Sequence, residues 1–130
     1  MKNILVIEDD KLTVDFYKVI FKKSGYNPIV TEDGQKILQF LEEGDVKLII
    51  MDINLKNTYI DGQKTDGIKL ASLIKNNKNY SRIPIILVTA YSFDILGEKL
   101  NGNKYADDFI IKPIVDFNKL LGKVNNLILN

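Results

Sequence analysis

Two apolar segments of this chain each end in carboxylates. Residues 3–7 are followed by Glu8 and Asp9, and residues 47–51 are followed by Asp52. Carboxylates that lie close together repel one another, so an ionised group of them near neutral pH needs a cation. Oxygen ligands of this kind suit a hard ion such as Mg²⁺. If the two segments lie side by side, their acids form a candidate magnesium site suited to phosphoryl transfer.

Both segments have the composition of strands that are buried on both faces. They are short and rich in β-branched residues and show no alternation of polar side chains, which is typical of parallel sheets. Further strand-like segments at residues 27–30, 82–88 and 109–111 alternate with helical patterns. Because βαβ crossovers are right-handed, such a series favours a doubly wound α/β sandwich. We predict five parallel strands and five helices in a single domain over residues 1–130, with residues 54–66 as a polar loop.

Several helix ends are also marked in the sequence. Asp10 is expected to cap the first helix and Asp116 the last, because a side-chain oxygen there accepts hydrogen bonds from free backbone N–H groups. Gly25 is the expected stop of the first helix. The helix predicted at residues 93–100 has the weakest pattern, since Gly97 interrupts it.

Polar side chains follow the predicted strands at their carboxyl ends. In open α/β sheets the functional crevice lies beyond that edge. The residues that end or follow a predicted strand in this way are Glu8, Asp9, Asp52, Thr89 and Lys112. We expect them to lie around one crevice.

The composition limits the chemistry and the partners. With 18 Lys and Arg against 17 Asp and Glu, the net charge is +1, so no overall field draws the chain to nucleic acid or membrane. Arg82 is the only arginine, which nearly excludes bidentate readout of DNA bases. The absence of Cys and His excludes disulfides, thiolate and imidazole catalysis, and cysteine-ligated zinc. The N-terminal apolar stretch is too short for a signal peptide, so we expect a cytoplasmic protein.

Four segments resemble the response-regulator receiver domain of two-component signalling. They are residues 4–10, 50–55, 88–90 and 106–113, which occur in that family's order. The resemblance implies a flavodoxin-like sheet of strand order 2-1-3-4-5 and a cis peptide bond between Lys112 and Pro113. It implies a stand-alone phosphoacceptor resembling the chemotaxis regulator, either a phosphorelay intermediate or a diffusible switch. A receiver excised from a larger protein remains an alternative.

The family assigns roles to the residues at the sheet edge. Asp52 matches the phosphoacceptor, which takes a phosphoryl group from a histidine kinase or a histidine phosphotransfer protein. Asp9 matches a direct Mg²⁺ ligand, Glu8 a ligand through water, and the backbone carbonyl of Asn54 a further ligand. Asp52 itself completes this set, and Mn²⁺ is an alternative ion. Lys112 matches the cation that pairs with a phosphoryl oxygen.

Four more residues match positions that act after phosphorylation. Thr89 matches the switch hydroxyl, and Phe109 matches the aromatic side chain that swings inward when Thr89 turns to the phosphate. Ala90 matches the small residue that leaves room for the phosphoryl group. Tyr91 occupies a position that tunes loss of the phosphoryl group. The face formed by residues 93–127 would pass the signal to a downstream protein.

The chain departs from the family pattern at three places. Lys56 stands where proline is usual, the loop over residues 57–66 is longer than usual, and Tyr91 is bulky. Of two Asp-Gly pairs in this region, Asp66 and Gly67 align with the family's pair because a helical pattern follows them. We hypothesise that Tyr91 and the long loop shield the acyl phosphate from water and prolong its life.

Two other protein classes share part of the pattern. A small Mg²⁺-dependent phosphatase of the haloacid dehalogenase type also uses an aspartyl nucleophile, but it needs a second Asp where this chain has Asn54. It also needs more chain for its cap and later motifs. A flavodoxin needs a Ser/Thr/Gly phosphate loop where this chain has acids. The receiver would be no enzyme beyond its own Mg²⁺-dependent phosphorylation and dephosphorylation.

Overall fold

Strands and helices alternate along the chain in the computed structural model, which describes residues 1–129. Asn130, included in the predicted domain, lies outside the described residues. The elements in chain order are β1 (Lys2–Ile7), α1 (Lys11–Lys23), β2 (Tyr26–Val30), α2 (Gly34–Glu43), β3 (Val46–Asp52), β4 (Tyr59–Ile60), β5 (Gln63–Lys64), α3 (Gly67–Lys75), β6 (Ile85–Thr89), α4 (Phe93–Leu100), β7 (Asp108–Ile111) and α5 (Phe117–Leu129). Among residues 1–129, no helix combines the length and apolar content that crossing a bilayer requires.

Five strands form one parallel sheet with the spatial order β2-β1-β3-β6-β7. Counting only these five, the order is 2-1-3-4-5, so the predicted flavodoxin-like topology is confirmed. All four strand pairs in this sheet are parallel. The carboxyl ends of β1, β3, β6 and β7 therefore lie along one edge of the sheet. The predicted site residues are at or just beyond this edge.

The sheet is covered by helices on both faces. Leu5 and Ile7 of β1 pack in the layer that contains buried residues of α2, α3 and α4. Ile4 and Val6 pack on the other face with buried residues of α1 and α5. All four side chains are fully buried. Burial on both faces explains why these strands show no polar alternation in the sequence.

The predicted helix ends are observed. The Asp10 side chain accepts a hydrogen bond from the backbone N–H of Thr13 at 3.0 Å, and Asp116 accepts one from the backbone N–H of Lys119 at 2.9 Å. Gly25 follows α1 with a φ of 84°, in the left-handed region that favours glycine. Local capping chemistry therefore sets these boundaries.

The predicted start of the fourth strand in the main sheet is wrong. The strand was expected from Arg82, but β6 begins at Ile85. Tyr80 and Ile83 instead form a turn, in which the Ile83 N–H donates to the Tyr80 carbonyl at 3.0 Å. Pro84 follows and has no N–H to give to a sheet. The other four strands of the main sheet agree with prediction to within one residue.

Residues 54–66, which were predicted as a polar loop, contain a short hairpin that was not predicted. This stretch contains the antiparallel hairpin of β4 and β5, so the chain has two short strands beyond the predicted five. Asp61 and Gly62 form its turn, with φ values of 51° and 79°. An Asp-Gly pair in that conformation is a favoured two-residue hairpin turn, so the signal was present in the sequence.

The hairpin is packed against the start of α2. A Cβ atom at Gly34 would lie 2.0 Å from the carbonyl oxygen of Tyr59, so only glycine permits this approach. The buried Thr58 hydroxyl donates to the Glu32 carbonyl at 2.7 Å. The hairpin is therefore held against the segment that joins β2 to α2.

Candidate functional site

Acidic side chains from the ends of two adjacent strands meet at the carboxyl edge of the sheet. Ile7 of β1 is paired with Met51 of β3, so Glu8, which follows β1, and Asp52, which ends β3, are neighbours. One carboxylate oxygen from each of Glu8, Asp9 and Asp52 lies within 4.8 Å of the other two. Oxygens that share one Mg²⁺ ion at about 2.1 Å are separated by at most about 4.2 Å. The structure therefore brings the three acids almost to the spacing of one shared ion.

The Lys112 ammonium bridges two buried carboxylates. Its Nζ donates to Glu8 Oε1 at 2.9 Å and to Asp52 Oδ2 at 3.3 Å. Only 3% of Glu8 and 6% of Asp52 is exposed. The other Glu8 oxygen, Oε2, accepts from the backbone N–H groups of Asp9 at 3.1 Å and Asp10 at 3.3 Å. These contacts fix both carboxylates at the end of the sheet.

The electrostatics of the site show an excess of negative charge. Burial, together with the neighbouring Asp52 carboxyl, raises the pKa of Glu8 to about 7, while Lys112 opposes the change. Burial by itself would lower the pKa of Lys112, but its hydrogen bond to Glu8 and the charge of Asp52 outweigh burial and raise the pKa. The single positive charge of Lys112 thus does not balance the negative charges of Glu8, Asp9 and Asp52. An all-oxygen donor set with unbalanced negative charge fits a hard divalent cation such as Mg²⁺.

Asp10 belongs to α1 and not to the acidic cluster. Its Oδ2 accepts from the Thr13 hydroxyl at 2.6 Å as well as from the Thr13 backbone N–H. These hydrogen bonds lower the pKa of Asp10. The side chain is occupied as the helix cap, as predicted.

Asn54 and Tyr91 form part of the exposed rim of the site. The backbone N–H of Asn54 donates to Asp52 Oδ1 at 3.1 Å, which places Asn54 directly beside the phosphoacceptor candidate. The Tyr91 hydroxyl donates to Asn54 Oδ1 at 3.3 Å. Ala90 is exposed next to Tyr91.

Thr89 and Phe109 lie on adjacent strands. Thr89 is fully buried at the end of β6, and its Oγ1 accepts from the Tyr91 N–H at 2.9 Å. Phe109 of β7 is paired with Leu87 and is half-buried in the layer that contains α3 and α4. The Lys112–Pro113 peptide bond that follows β7 is cis, as the family resemblance implies.

Two residues near the site were missed by sequence reasoning. The Lys99 ammonium lies 4.7 Å from the centre of the Tyr91 ring. Tyr17 is fully buried in the layer beneath the acids, and its pKa is raised by burial and by the charges of Glu8 and Asp52. Neither residue follows a strand. Their positions depend on how α1 and α4 pack, which no local pattern indicates.

Comparison with known proteins identifies the family. The family profile described as response regulator receiver domain matches residues 4–125. The chain belongs to this family. The receiver is a module of two-component signalling, and the match gives no support to the phosphatase alternative.

Individual relatives agree with this assignment. The receiver is 27% identical over 113 residues to the polar-differentiation response regulator DivK of Brucella ovis, covering 87% of this chain and 85% of DivK. It is 30% identical over 126 residues to the CAI-1 autoinducer sensor kinase/phosphatase CqsS of Vibrio cholerae. That match covers 95% of this chain but only 17% of CqsS.

A solved structure of a response regulator has the same fold. The response regulator TrrA of Thermotoga maritima, in complex with Mg²⁺-BeF, superposes with a TM-score of 0.76 and is 28% identical. The match covers 98% of this chain and 99% of TrrA.

The raised pKa of Glu8 predicts how stability depends on pH without divalent ions. Folded Glu8 holds its proton up to a pKa of about 7, whereas the ordinary value is 4.5. Between pH 4.5 and about pH 7 the folded state therefore binds more protons than the unfolded state. The free energy of unfolding should accordingly fall as the pH rises through this range. The measurement is urea unfolding at pH 5 and at pH 8 with a chelator present. Over this range the free energy of unfolding of the wild type should fall by about 1–3 kcal/mol more than that of Glu8→Gln.

The matched control is Glu42→Gln, which removes an exposed carboxylate from α2. This variant should keep the wild-type dependence on pH. The account of the site would be contradicted if Glu8→Gln and Glu42→Gln behaved alike.

Proposed function

We propose that Asp52 accepts a phosphoryl group from a phosphohistidine of a sensor histidine kinase or a histidine phosphotransfer protein, with Mg²⁺ bound. The observation that carries the proposal is the meeting of Glu8, Asp9 and Asp52 oxygens within 4.8 Å, beside the Lys112 ammonium. Repulsion among these acids is unfavourable when they are ionised, and a bound cation would relieve it.

In the proposed transfer, Asp52 is the nucleophile. A carboxylate oxygen of Asp52 bonds to phosphorus while the bond between phosphorus and the histidine nitrogen breaks. The electron pair of that bond stays on the nitrogen, and because the other ring nitrogen of the phosphohistidine carries a proton, the leaving side chain is a neutral imidazole. Glu8, Asp9, Asp52 and the Asn54 carbonyl would hold Mg²⁺, which offsets charge on the transferring phosphoryl group.

Lys112 is suited to follow the phosphoryl group. Its ammonium contacts Asp52 Oδ2 at 3.3 Å, the longer of its two carboxylate contacts. Because a lysine ammonium is a point charge on a flexible stem, it can exchange this contact for a phosphoryl oxygen. Glu8 keeps its hydrogen bonds from two backbone N–H groups during this exchange. We therefore assign Lys112 to stabilisation of the phosphorylated state.

We propose that Thr89 and Phe109 transmit the change. The Thr89 hydroxyl oxygen accepts from the Tyr91 N–H, so turning towards a phosphoryl group releases the loop that begins α4. The small Ala90 leaves space for that group, and half-buried Phe109 on the adjacent strand can fill the space that Thr89 vacates. Two coupled positions of these side chains form a two-state element that one local charge biases.

The relatives support partners of the same class. CqsS is a sensor kinase/phosphatase and DivK is a response regulator. We propose a histidine kinase or phosphotransfer protein upstream and a protein target downstream, in the cytoplasm. The net charge of +1 and the single arginine argue against direct contact with nucleic acid or membrane.

Phosphorylation of Asp52 can be tested directly. We expect acetyl phosphate with Mg²⁺ to add the mass of one phosphoryl group to the wild type, and Asp52→Ala to show no increase. Asp15→Ala, at an exposed position of α1, is the matched control and should be modified as the wild type is. Equal modification of Asp52→Ala would refute the assignment, and steady turnover of many phosphoesters would favour a phosphatase.

Tyr91 is proposed to shield the acyl phosphate from water. Its hydroxyl bonds to Asn54, next to Asp52, whereas the hairpin of the long loop is packed against α2. We therefore assign the shielding to Tyr91. Tyr91→Ala should shorten the half-life of phosphorylated Asp52 after the donor is removed, as followed by mass spectrometry. A half-life equal to that of the wild type would rule the shield out.

A further inference from the structure

The Tyr91 side chain is contacted by groups from two distant parts of the chain. Its hydroxyl donates to Asn54 Oδ1 at 3.3 Å, and the Lys99 ammonium lies 4.7 Å from the centre of its ring. Asn54 follows β3, whereas Lys99 is in the last turn of α4. Tyr91 therefore connects the end of the phosphoacceptor strand with a helix on the periphery of the sheet.

These three residues line one cavity between α3 and α4. Its volume is about 650 Å³, and its lining includes Asn54, Tyr91 and Lys99. Asp52 is not part of this lining among the described residues, although Asn54 is only two positions further along the chain. Asn54 also donates its backbone N–H to Asp52 Oδ1 at 3.1 Å, so this cavity adjoins the phosphoacceptor candidate through Asn54.

The placement of Lys99 is more specific than a general preference for lysine at helix ends. A lysine in the last turn is favoured by the helix dipole wherever its side chain points. Here the ammonium lies over the aromatic face, where the ring quadrupole attracts a cation. Lys99 is an exposed residue, so its ammonium could remain in water, yet it contacts the ring.

We propose that Lys99 is a positioning residue that holds the Tyr91 ring at the rim and so slows hydrolysis of phosphorylated Asp52. The inference rests on the proposed function. In hydrolysis, a water oxygen bonds to phosphorus while the bond between phosphorus and the Asp52 oxygen breaks. Asp52 returns to a carboxylate, and inorganic phosphate leaves with both protons of the water. Lys99 acts on this step only through Tyr91, which limits the approach of water.

The consequence is a link between α4 and the lifetime of the signal. If α4 moves, or if a partner draws the Lys99 ammonium away, the ring loses its contact with that cation. Hydrolysis then becomes faster without any change at Asp52 itself. The position of this helix would in this way regulate the duration of the phosphorylated state.

The test compares rates of phosphoryl loss in full-length variants. Each is phosphorylated with acetyl phosphate and Mg²⁺, the donor is removed, and the phosphorylated fraction is followed by mass spectrometry. Lys99→Met should increase the rate constant about two- to fivefold, the range that an exposed cation–π contact supports. Lys99→Arg should retain the wild-type rate because it keeps the cation. Lys99→Gln is the second neutral variant, and urea unfolding checks that each protein is folded.

Two controls separate the contact from a general effect of charge. Lys104→Met removes an equal charge from an exposed residue beyond α4 and should leave the rate unchanged. In a Tyr91→Leu background, Lys99→Met should have no further effect, since the ring it positions is gone.

The inference is overturned if Lys99→Met loses phosphate at the wild-type rate. It is also overturned if Lys104→Met has the same effect, or if the effect persists with Tyr91→Leu. A wild type that is never phosphorylated on Asp52 would instead refute the proposed function itself. Phosphorylation on Asp52 with no effect of Lys99 would refute this inference alone.

Discussion

Repulsion among the carboxylates of Glu8, Asp9 and Asp52 is the constraint around which this receiver is built. Hydrogen bonding places β1 and β3 side by side in parallel, so the residues after each strand must meet. A buried carboxylate with a raised pKa is an unfavourable feature in a domain of marginal stability. Lys112 relieves the repulsion in part, and a divalent ion or a phosphoryl group can change the balance. Under the proposed function, that sensitivity would allow the site to act as a switch.

The rest of the fold holds this unfavourable arrangement in place. The central strands are buried between two helical layers, so the end of each strand has little freedom. Gly67 allows α3 to begin against β3, since a Cβ atom there would lie 2.2 Å from the Asp52 carbonyl oxygen. A rigid sheet end with adaptable loops beyond it is the usual design of α/β binding sites. Here Tyr91 and the start of α4 lie in the segment that follows the end of β6.

The sequence predicted the elements that local chemistry controls. Apolar segments without polar alternation located the central strands, and Asp10 and Asp116 marked helix starts because their side chains satisfy free N–H groups. The strand order came from family resemblance, since periodicity does not determine which strands pair. The hairpin at Asp61 and Gly62 was not predicted although its turn signal is present, because its two strands of two residues each are too short to show a strand pattern.

The residues of the candidate site also differ in how far the sequence predicts them. The acids and Lys112 could be predicted because each ends or follows a strand and parallel strands end together. The contacts of Tyr91 with Asn54 and Lys99 could not, since they depend on where α4 packs relative to β3. The buried hydroxyl of Tyr17, which has no hydrogen-bond partner among the described residues, could not be predicted either. In the sequence, a tyrosine on the inner face of a helix cannot be distinguished from an ordinary core residue. Local rules located the ends of the elements, whereas tertiary packing determined the contacts between them.

The most direct test of the central claim is a Mg²⁺ titration of the metal-free protein followed by amide NMR. The account predicts saturation by a single ion per chain, with the largest shifts at Glu8, Asp9, Asp52 and Asn54. Asp9→Asn should weaken this binding strongly, whereas Asp15→Asn on the exposed face of α1 should not. Shifts that do not saturate, or that are the same in Asp9→Asn, would show that the three acids do not share an ion.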